Sequence, residues 1–308
     1  MMISVILLLE DCYKDQSDFI AAIDRIFSDI GDPFEILVIA NGTGNFFRSR
    51  LSEIQGLRNR IRAFEFGNRT TQAVCLKAVL KEVQCDTLVI CGSYQQLSAD
   101  SMREVVGALD DSCDVVSPWR QKRVDPAFNQ FQSKVFNGLM RWIVGARLHD
   151  FSCTVKVVRR SVLQEIELYG NMFRFLPVLA ADRGFRVKEV PVTHFQERGE
   201  TGFYSLSDYI TRLIDIFTLF FNTRFTRKPL RFFSTIGIGF LSVGLLSMGV
   251  LFIQRFLFSI PIGNRPFLFL SLMLTILGVL VSSAGLLGEI IAFTNGRQKK
   301  QYTIEKTI

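Results

Sequence analysis

The side chains best suited to hold a transition metal are six cysteines (Cys12, Cys75, Cys85, Cys91, Cys113 and Cys153) and two histidines (His149 and His194). No two cysteines form a CxxC pair, and two histidines are too few for the usual ligand sets, so no His/Cys metal site is expected. Several of the cysteines lie inside apolar runs, where a thiol behaves as a small hydrophobe, and unpaired thiols fit a reducing compartment. Other polar groups with chemistry to offer stand at the ends of short apolar runs. Asp11 follows residues 3–9, Asn41-Gly42 follows 35–39, Gly92 to Tyr94 follows 87–91, and Arg120 follows 114–117. In an open parallel sheet, ligands bind beyond the carboxyl ends of the strands. These clusters would then share one cleft.

Such a cleft needs strands and helices to carry it. Residues 3–9, 35–39, 62–66, 87–91 and 114–117 read as strands. Amphipathic stretches at 18–27, 70–82 and 98–109 read as helices between them. Ala73, Leu76, Val79 and Leu80 share one face of the second, and Ser98 is placed to cap the third. The alternation predicts an α/β fold, a mostly parallel sheet flanked by helices on both faces.

The 48% hydrophobic content is unevenly spread over the 308 residues. Residues 232–253 and 267–291 are two apolar runs long enough to cross a bilayer, separated by a segment with two prolines, a glycine and an asparagine. They predict a C-terminal two-helix transmembrane hairpin. Arg224, Arg227, Lys228 and Arg231 precede the first run, and Arg297, Lys299 and Lys300 follow the second. The connecting segment has only Arg255 and Arg265, so both termini are expected in the cytosol, with the chain a multi-pass protein of the cytoplasmic membrane. The apolar start is too short for a span, lacks a basic leader and meets Glu10-Asp11, so it reads as a buried strand.

Net charge is +7, which would suit nucleic acid, anionic lipid or phosphorylated ligands. The basic residues flank the apolar runs, which disfavours nucleic acid. Leu206, Tyr209, Ile210, Leu213, Phe217, Phe220 and Phe221 recur at spacings of three and four, opposite Asp208, Arg212 and Asp215. They predict a helix lying at a membrane surface, and Phe136, Leu139, Met140 and Ile143 make a weaker stripe of the same kind. The domain reading is therefore 1–204 cytosolic, 205–231 juxtamembrane helix and basic linker, 232–293 spans and 294–308 basic tail.

Four segments carry a resemblance. Asp150-Phe-Ser-Cys153-Thr-Val-Lys156 fits D-x-x-C-x-x-[RK], and residues 184–192 fit G-x-x-x-x-E-[VI]-P-V. Residues 194–204 approximate H-x-x-R-x-x-G-x-S-x-Y, and Leu286-Leu-Gly288-Glu289-Ile290 with the basic tail fits a C-terminal end. Together they make the chain resemble the membrane-anchored polyprenyl-phosphate glycosyltransferases of glycosyltransferase family 2, which include dolichol-phosphate mannose synthases. The resemblance implies a GT-A fold and transfer of a sugar from a nucleotide sugar to a polyprenyl phosphate. It makes Asp150 the acceptor-side catalytic carboxylate and Arg198 a phosphate ligand, since a guanidinium binds phosphate bidentately.

The donor side departs from the same pattern. Where the family has D-x-D, which holds a divalent metal against the diphosphate, Gly92 and Tyr94 stand. Asn41 and Gly42 keep the turn of the nucleotide-contacting D-[DN]-G-S-x-D, without its outer acids. Asp11 is what remains of P-x-Y-N-E, and Asn68 precedes Arg69-Thr70-Thr71 in place of glycines. Mg²⁺ or Mn²⁺ would be usual for the family, yet the ligands are missing and no cofactor is expected. The resemblance then leaves two readings. One is a metal-independent transferase in which Arg120, Lys122 and Arg123 supply positive charge. The other is a catalytically silent paralogue that binds lipid phosphate, or an active partner in a homo- or hetero-oligomer, as scaffold or regulator.

Overall fold

The structure is a computed structural model and describes residues 2–9, 17–42, 60–121, 127–144, 148–195, 210, 214, 216–219, 229–258 and 266–296. It forms two compact units, Met1–Leu219 and Phe220–Ile308.

In the first unit, β1 (Ile3–Leu9), β2 (Phe34–Asn41) and β4 (Thr87–Cys91) are almost wholly buried. That explains their unbroken apolar runs, because a strand covered on both faces has no polar side. β3 (Ile61–Phe66), β5 (Val115–Gln121), β6 (Lys156–Arg159) and β7 (Val187–Thr193) complete a seven-stranded sheet of order β3-β2-β1-β4-β6-β5-β7. Alternate residues of β1 feed opposite cores. Ile3, Val5, Leu7 and Leu9 join α1 (Ser17–Ile30) and α3 (Ala99–Gly107) on one face. Ile6 and Leu8 join α2 (Gln72–Val79), α5 (Arg160–Glu165) and α6 (Leu176–Asp182) on the other. The Ser98 hydroxyl accepts the Ser101 N–H and so caps α3, as its sequence position predicts.

All neighbouring strand pairs are parallel except those made by β6, which runs antiparallel to both β4 and β5. The sequence reading had no strand there: four residues with a lysine and an arginine give little alternation. The consequence is functional. Because β6 is reversed, the chain that enters it, Asp150 to Val155, arrives at the edge where β1, β2, β4, β5 and β7 end.

One expectation is corrected. Helix α4 (Ala127–Val144) does not turn Phe136 and Met140 outward. Phe136 stacks on Phe175 with centroids 6.4 Å apart, and Met140 is fully buried. Among the described residues of α4, the large apolar side chains that are exposed are Phe128, Phe131 and Val135, with Phe131 63% exposed. Phe136 and Met140 thus face the core and not a membrane surface. Further on, Ile216 and Leu219 are buried in the core while Ile210, Ile214 and Phe217 are exposed. Leu206, Tyr209, Leu213, Phe220 and Phe221 lie outside the described residues.

The second unit is two long helices, α7 (Pro229–Phe258) and α8 (Pro266–Gly296). At 30 and 31 residues each reaches about 45 Å at the α-helical rise, enough for the hydrocarbon core and both interfaces. Their seam is built from small residues. A Cβ on Gly237 would collide with Ser282 Oγ, one on Gly244 would fall 2.5 Å from Thr275 Oγ1, and one on Gly278 2.6 Å from the Leu241 nitrogen. Without a hydrophobic drive between helices in lipid, such close approach supplies the packing. The Leu230 N–H donates to Glu289 Oε2 at 3.2 Å, so a carboxylate near the end of α8 caps the start of α7.

Candidate active site

At the carboxyl edge of the first unit, β4 leads into Gly92-Ser93-Tyr94-Gln95-Gln96. Gly92 packs against the chain entering β6. A Cβ there would lie 2.6 Å from Thr154 Oγ1 and 2.9 Å from Thr154 Cβ, so Thr154 fills the space that any side chain at 92 would need. Thr154 Oγ1 is buried and makes no hydrogen bond among the described residues.

Gln96 is almost wholly buried and ties this edge together. Its Oε1 accepts the Thr154 N–H at 2.8 Å and the Cys153 thiol at 3.4 Å. A backbone N–H must meet an oxygen, which fixes the amide and leaves Nε2 as the donor to the Tyr94 hydroxyl, 2.5 Å away. The Gln96 carbonyl accepts the Phe195 N–H, and Leu97 bridges His194.

Beside this lies a buried ion pair. Arg120, near the end of β5, donates Nε to Asp150 Oδ2 at 2.8 Å and Nη2 to Asp150 Oδ1 at 3.2 Å. Ser152 donates both its N–H and its hydroxyl to Oδ1, while its hydroxyl also accepts from Arg120 Nη2 at 2.9 Å. Burial works against the Arg120 charge, but Asp150 and, further off, Cys153 and Tyr94 outweigh it and hold the guanidinium above its ordinary range. Glu189 anchors the same loop from β7, accepting the His149 and Asp150 N–H groups and meeting His149 Nδ1 at 2.7 Å. The His149 ring stacks on Trp119 at 4.2 Å.

Under the pair, Lys156 is completely buried and donates to Ser117 Oγ at 2.8 Å. Burial lowers its affinity for a proton, partly countered by Cys153 and Asp150. The neighbouring thiols are inert: burial pushes Cys91 up to about 12 and raises Cys153.

The structure thus brings Asp150, Arg120, Gly92 and Tyr94 to one edge. Asn41 and Gly42 end β2 at the same edge, where the Asn41 amide donates to the Thr70 carbonyl and accepts the Thr70 N–H at 2.7 and 2.8 Å. Gly42, at φ 72°, has Arg69 Cβ against it and could not accept a Cβ of its own. Asn68 is exposed nearby. Asp11, Lys122, Arg123 and Arg198 lie outside the described residues. The organising roles of Gln96, Thr154, Trp119 and Glu189 are not legible in the sequence: Glu189 is a specified residue of a quoted motif, Thr154 stands at an unspecified motif position, and Gln96 and Trp119 lie outside the quoted motifs.

A divalent metal at this edge does not fit the described residues. Position 92 offers no side-chain ligand atom, position 94 offers a phenol in place of a carboxylate, and burial pushes the Cys91 thiol up to about 12. Among the described residues, no three His, Cys, Asp or Glu side chains gather in a group that could hold an ion.

No protein-family model matches the chain. It is 27% identical over 248 residues to a dodecaprenyl-phosphate galacturonate synthase of Rhizobium johnstonii, covering 80% of this chain and 70% of that one. Among solved structures it is similar to glucosyl-3-phosphoglycerate synthase of Mycobacterium tuberculosis in complex with Mn²⁺, UDP and phosphoglyceric acid. There the TM-score is 0.53 at 11% identity over 72% of this chain and 78% of that one. The same enzyme with Mn²⁺, UDP and glucosyl-3-phosphoglycerate gives 0.52 at 12% identity, over 72% and 79%. A likeness at such low identity concerns the fold. The chain accordingly has the fold of the GT-A glycosyltransferases, carries two apolar C-terminal helices, and is similar in sequence to a synthase of a polyprenyl-phosphate sugar.

Proposed function

We propose that this protein transfers a sugar from a nucleotide sugar to a polyprenyl phosphate at the cytosolic face of the cytoplasmic membrane. The observation that carries the reading is the extent of the sequence match to the galacturonate synthase, which takes in 80% of this chain. The physical logic agrees. A polyprenyl tail is confined to the bilayer and its phosphate to the surface, so an enzyme tethered by a helical hairpin meets its acceptor in two dimensions. The phosphate is already ionised at neutral pH, so positioning matters more than a strong base. Asp150 is then the carboxylate that sets the acceptor side, through Arg120, and Arg198 the cation that grips the acceptor phosphate. Lys122 and Arg123 add positive charge beside the cleft.

The test is direct. The full chain in detergent, given dodecaprenyl phosphate and a panel of UDP- and GDP-sugars, is expected to yield a lipid-linked sugar detectable by mass spectrometry. Arg198→Ala and Asp150→Asn are expected to lower the yield at least tenfold. No product across the panel, with folded protein, overturns the reading.

Gly92 closed off by Thr154 favours a second reading, a silent paralogue that binds lipid phosphate or an active partner, homo- or hetero-oligomeric. It predicts no nucleotide binding by calorimetry.

A further inference from the structure

Resting on the membrane attachment in the reading above, but not on sugar transfer, we propose that two outward stripes of the first unit form a lipid-docking surface. One is Phe128, Phe131 and Val135 on α4. The other is Ile210, Ile214 and Phe217. Both are seated in the headgroup region of the bilayer.

Neither stripe is on the side that builds the core. The inward side of α4 is supplied by Phe136 against Phe175 and by the buried Met140, which leaves Phe131 63% exposed beside Phe128 and Val135. The described residues between 210 and 219 are helical. There Ile216 and Leu219 are buried, while Ile210, Ile214 and Phe217 recur at spacings of four and three on the opposite side, with Phe217 65% exposed. Met140, Ile216 and Leu219 belong to one buried cluster, so both stripes look outward over the same face of the sheet. Large apolar side chains gathered on the outside of a domain mark a surface that something covers.

Two observations identify the cover as lipid. Phe217 stands twelve residues before Pro229, the start of α7, so at most about 43 Å of chain separates its stripe from a membrane span. An apolar phase is therefore always within reach. Charge points the same way. Residues 127–144 contain no Asp or Glu, and Lys134 and Arg141 are exposed on α4. Basic side chains beside an apolar stripe match anionic headgroups. A second copy docked on this face would set the same two bases against their own equivalents, with no acid on α4 to offset them.

The full chain carrying Cys12→Ser is placed one copy per nanodisc of phosphatidylcholine and phosphatidylglycerol. The remaining five cysteines are buried and stay unlabelled. Nitroxides are attached, in separate proteins, at Phe131→Cys, Val135→Cys and Ile214→Cys, and at Glu104→Cys, which is exposed on α3 over the other face of the sheet. Collision with oxygen, which concentrates in lipid, is compared with collision with a nickel chelate confined to water. The labels at 131, 135 and 214 are expected to favour oxygen and to be shielded from nickel about threefold or more relative to 104. One variant that fails to fold leaves the others to decide. Nickel access equal to that at 104 overturns the proposal. So does shielding that arises only when two copies share a disc, which would assign the face to a second copy. Shielding in a protein that transfers no sugar supports the proposal and counts against the transferase reading alone; sugar transfer with all three labels open to water does the reverse.

Discussion

Arg120 and Asp150 meet through two charge-assisted hydrogen bonds with both side chains buried, although thirty residues separate them in sequence. Neither is available as a loose surface charge. The pair is a rigid block, and each residue's contribution depends on the other.

The first prediction follows from that block. Asp150→Leu or Arg120→Met leaves a buried charge without its partner and should cost about 3–5 kcal/mol. The double change Arg120→Met with Asp150→Leu should recover much of it. Thermal unfolding of the four proteins in detergent, arranged as a double-mutant cycle, measures the coupling.

Thr154 gives a prediction of opposite sign. Its hydroxyl is buried with no hydrogen bond among the described residues, and such a group costs about 1–3 kcal/mol. Thr154→Val should raise stability by about 1 kcal/mol and leave nucleotide affinity unchanged. A lower melting temperature would contradict this.

Lys156 predicts a pH dependence. Burial lowers its pKa in the folded chain below the 10.5 of the unfolded one. Between those two values the unfolded chain binds the proton and the folded chain does not. Raising the pH through that window therefore increases stability, whereas at lower pH the penalty of a buried ammonium is present in full. Lys156→Met should remove this slope. Denaturant midpoints of both proteins from pH 7 to 10 test it.

The hairpin seam gives a contrast. Gly278→Leu would drive a side chain into the Leu241 and Gly237 backbone, which cannot yield, and should separate the helices. Gly239→Leu, where nothing lies within 4 Å of the added Cβ, should be tolerated. Melting temperature in detergent and migration of the folded form should distinguish the two.

Much of the frame was legible in the sequence. β1, β2 and β4 are continuous apolar runs because both of their faces are covered, and the two spans are longer runs still. What stayed hidden depended on direction. β6 is short, charged and reversed, so Asp150 and Thr154 could be read as motif residues without any sign that they face Arg120 and Gly92. For α4, the spacing of Phe136 and Met140 defined an apolar stripe, but periodicity does not say which side the sheet will cover. Gln96 had no motif at all, since a buried amide acquires its role only from what surrounds it.

β6 has a mechanical consequence as well. It is the strand that joins β3-β2-β1-β4 to β5-β7, through four ladder partners on β4 and two on β5. Across the upper edge the only other described tie of this kind is the Leu97–His194 bridge with its Phe195 bond to Gln96. Gly92 and Tyr94 belong to one half-sheet, and Arg120 to the other. The placement of Gly92 and Tyr94 relative to Arg120 therefore depends on a seam a few hydrogen bonds long, and amide exchange at Val157 and Val158 would report on its integrity.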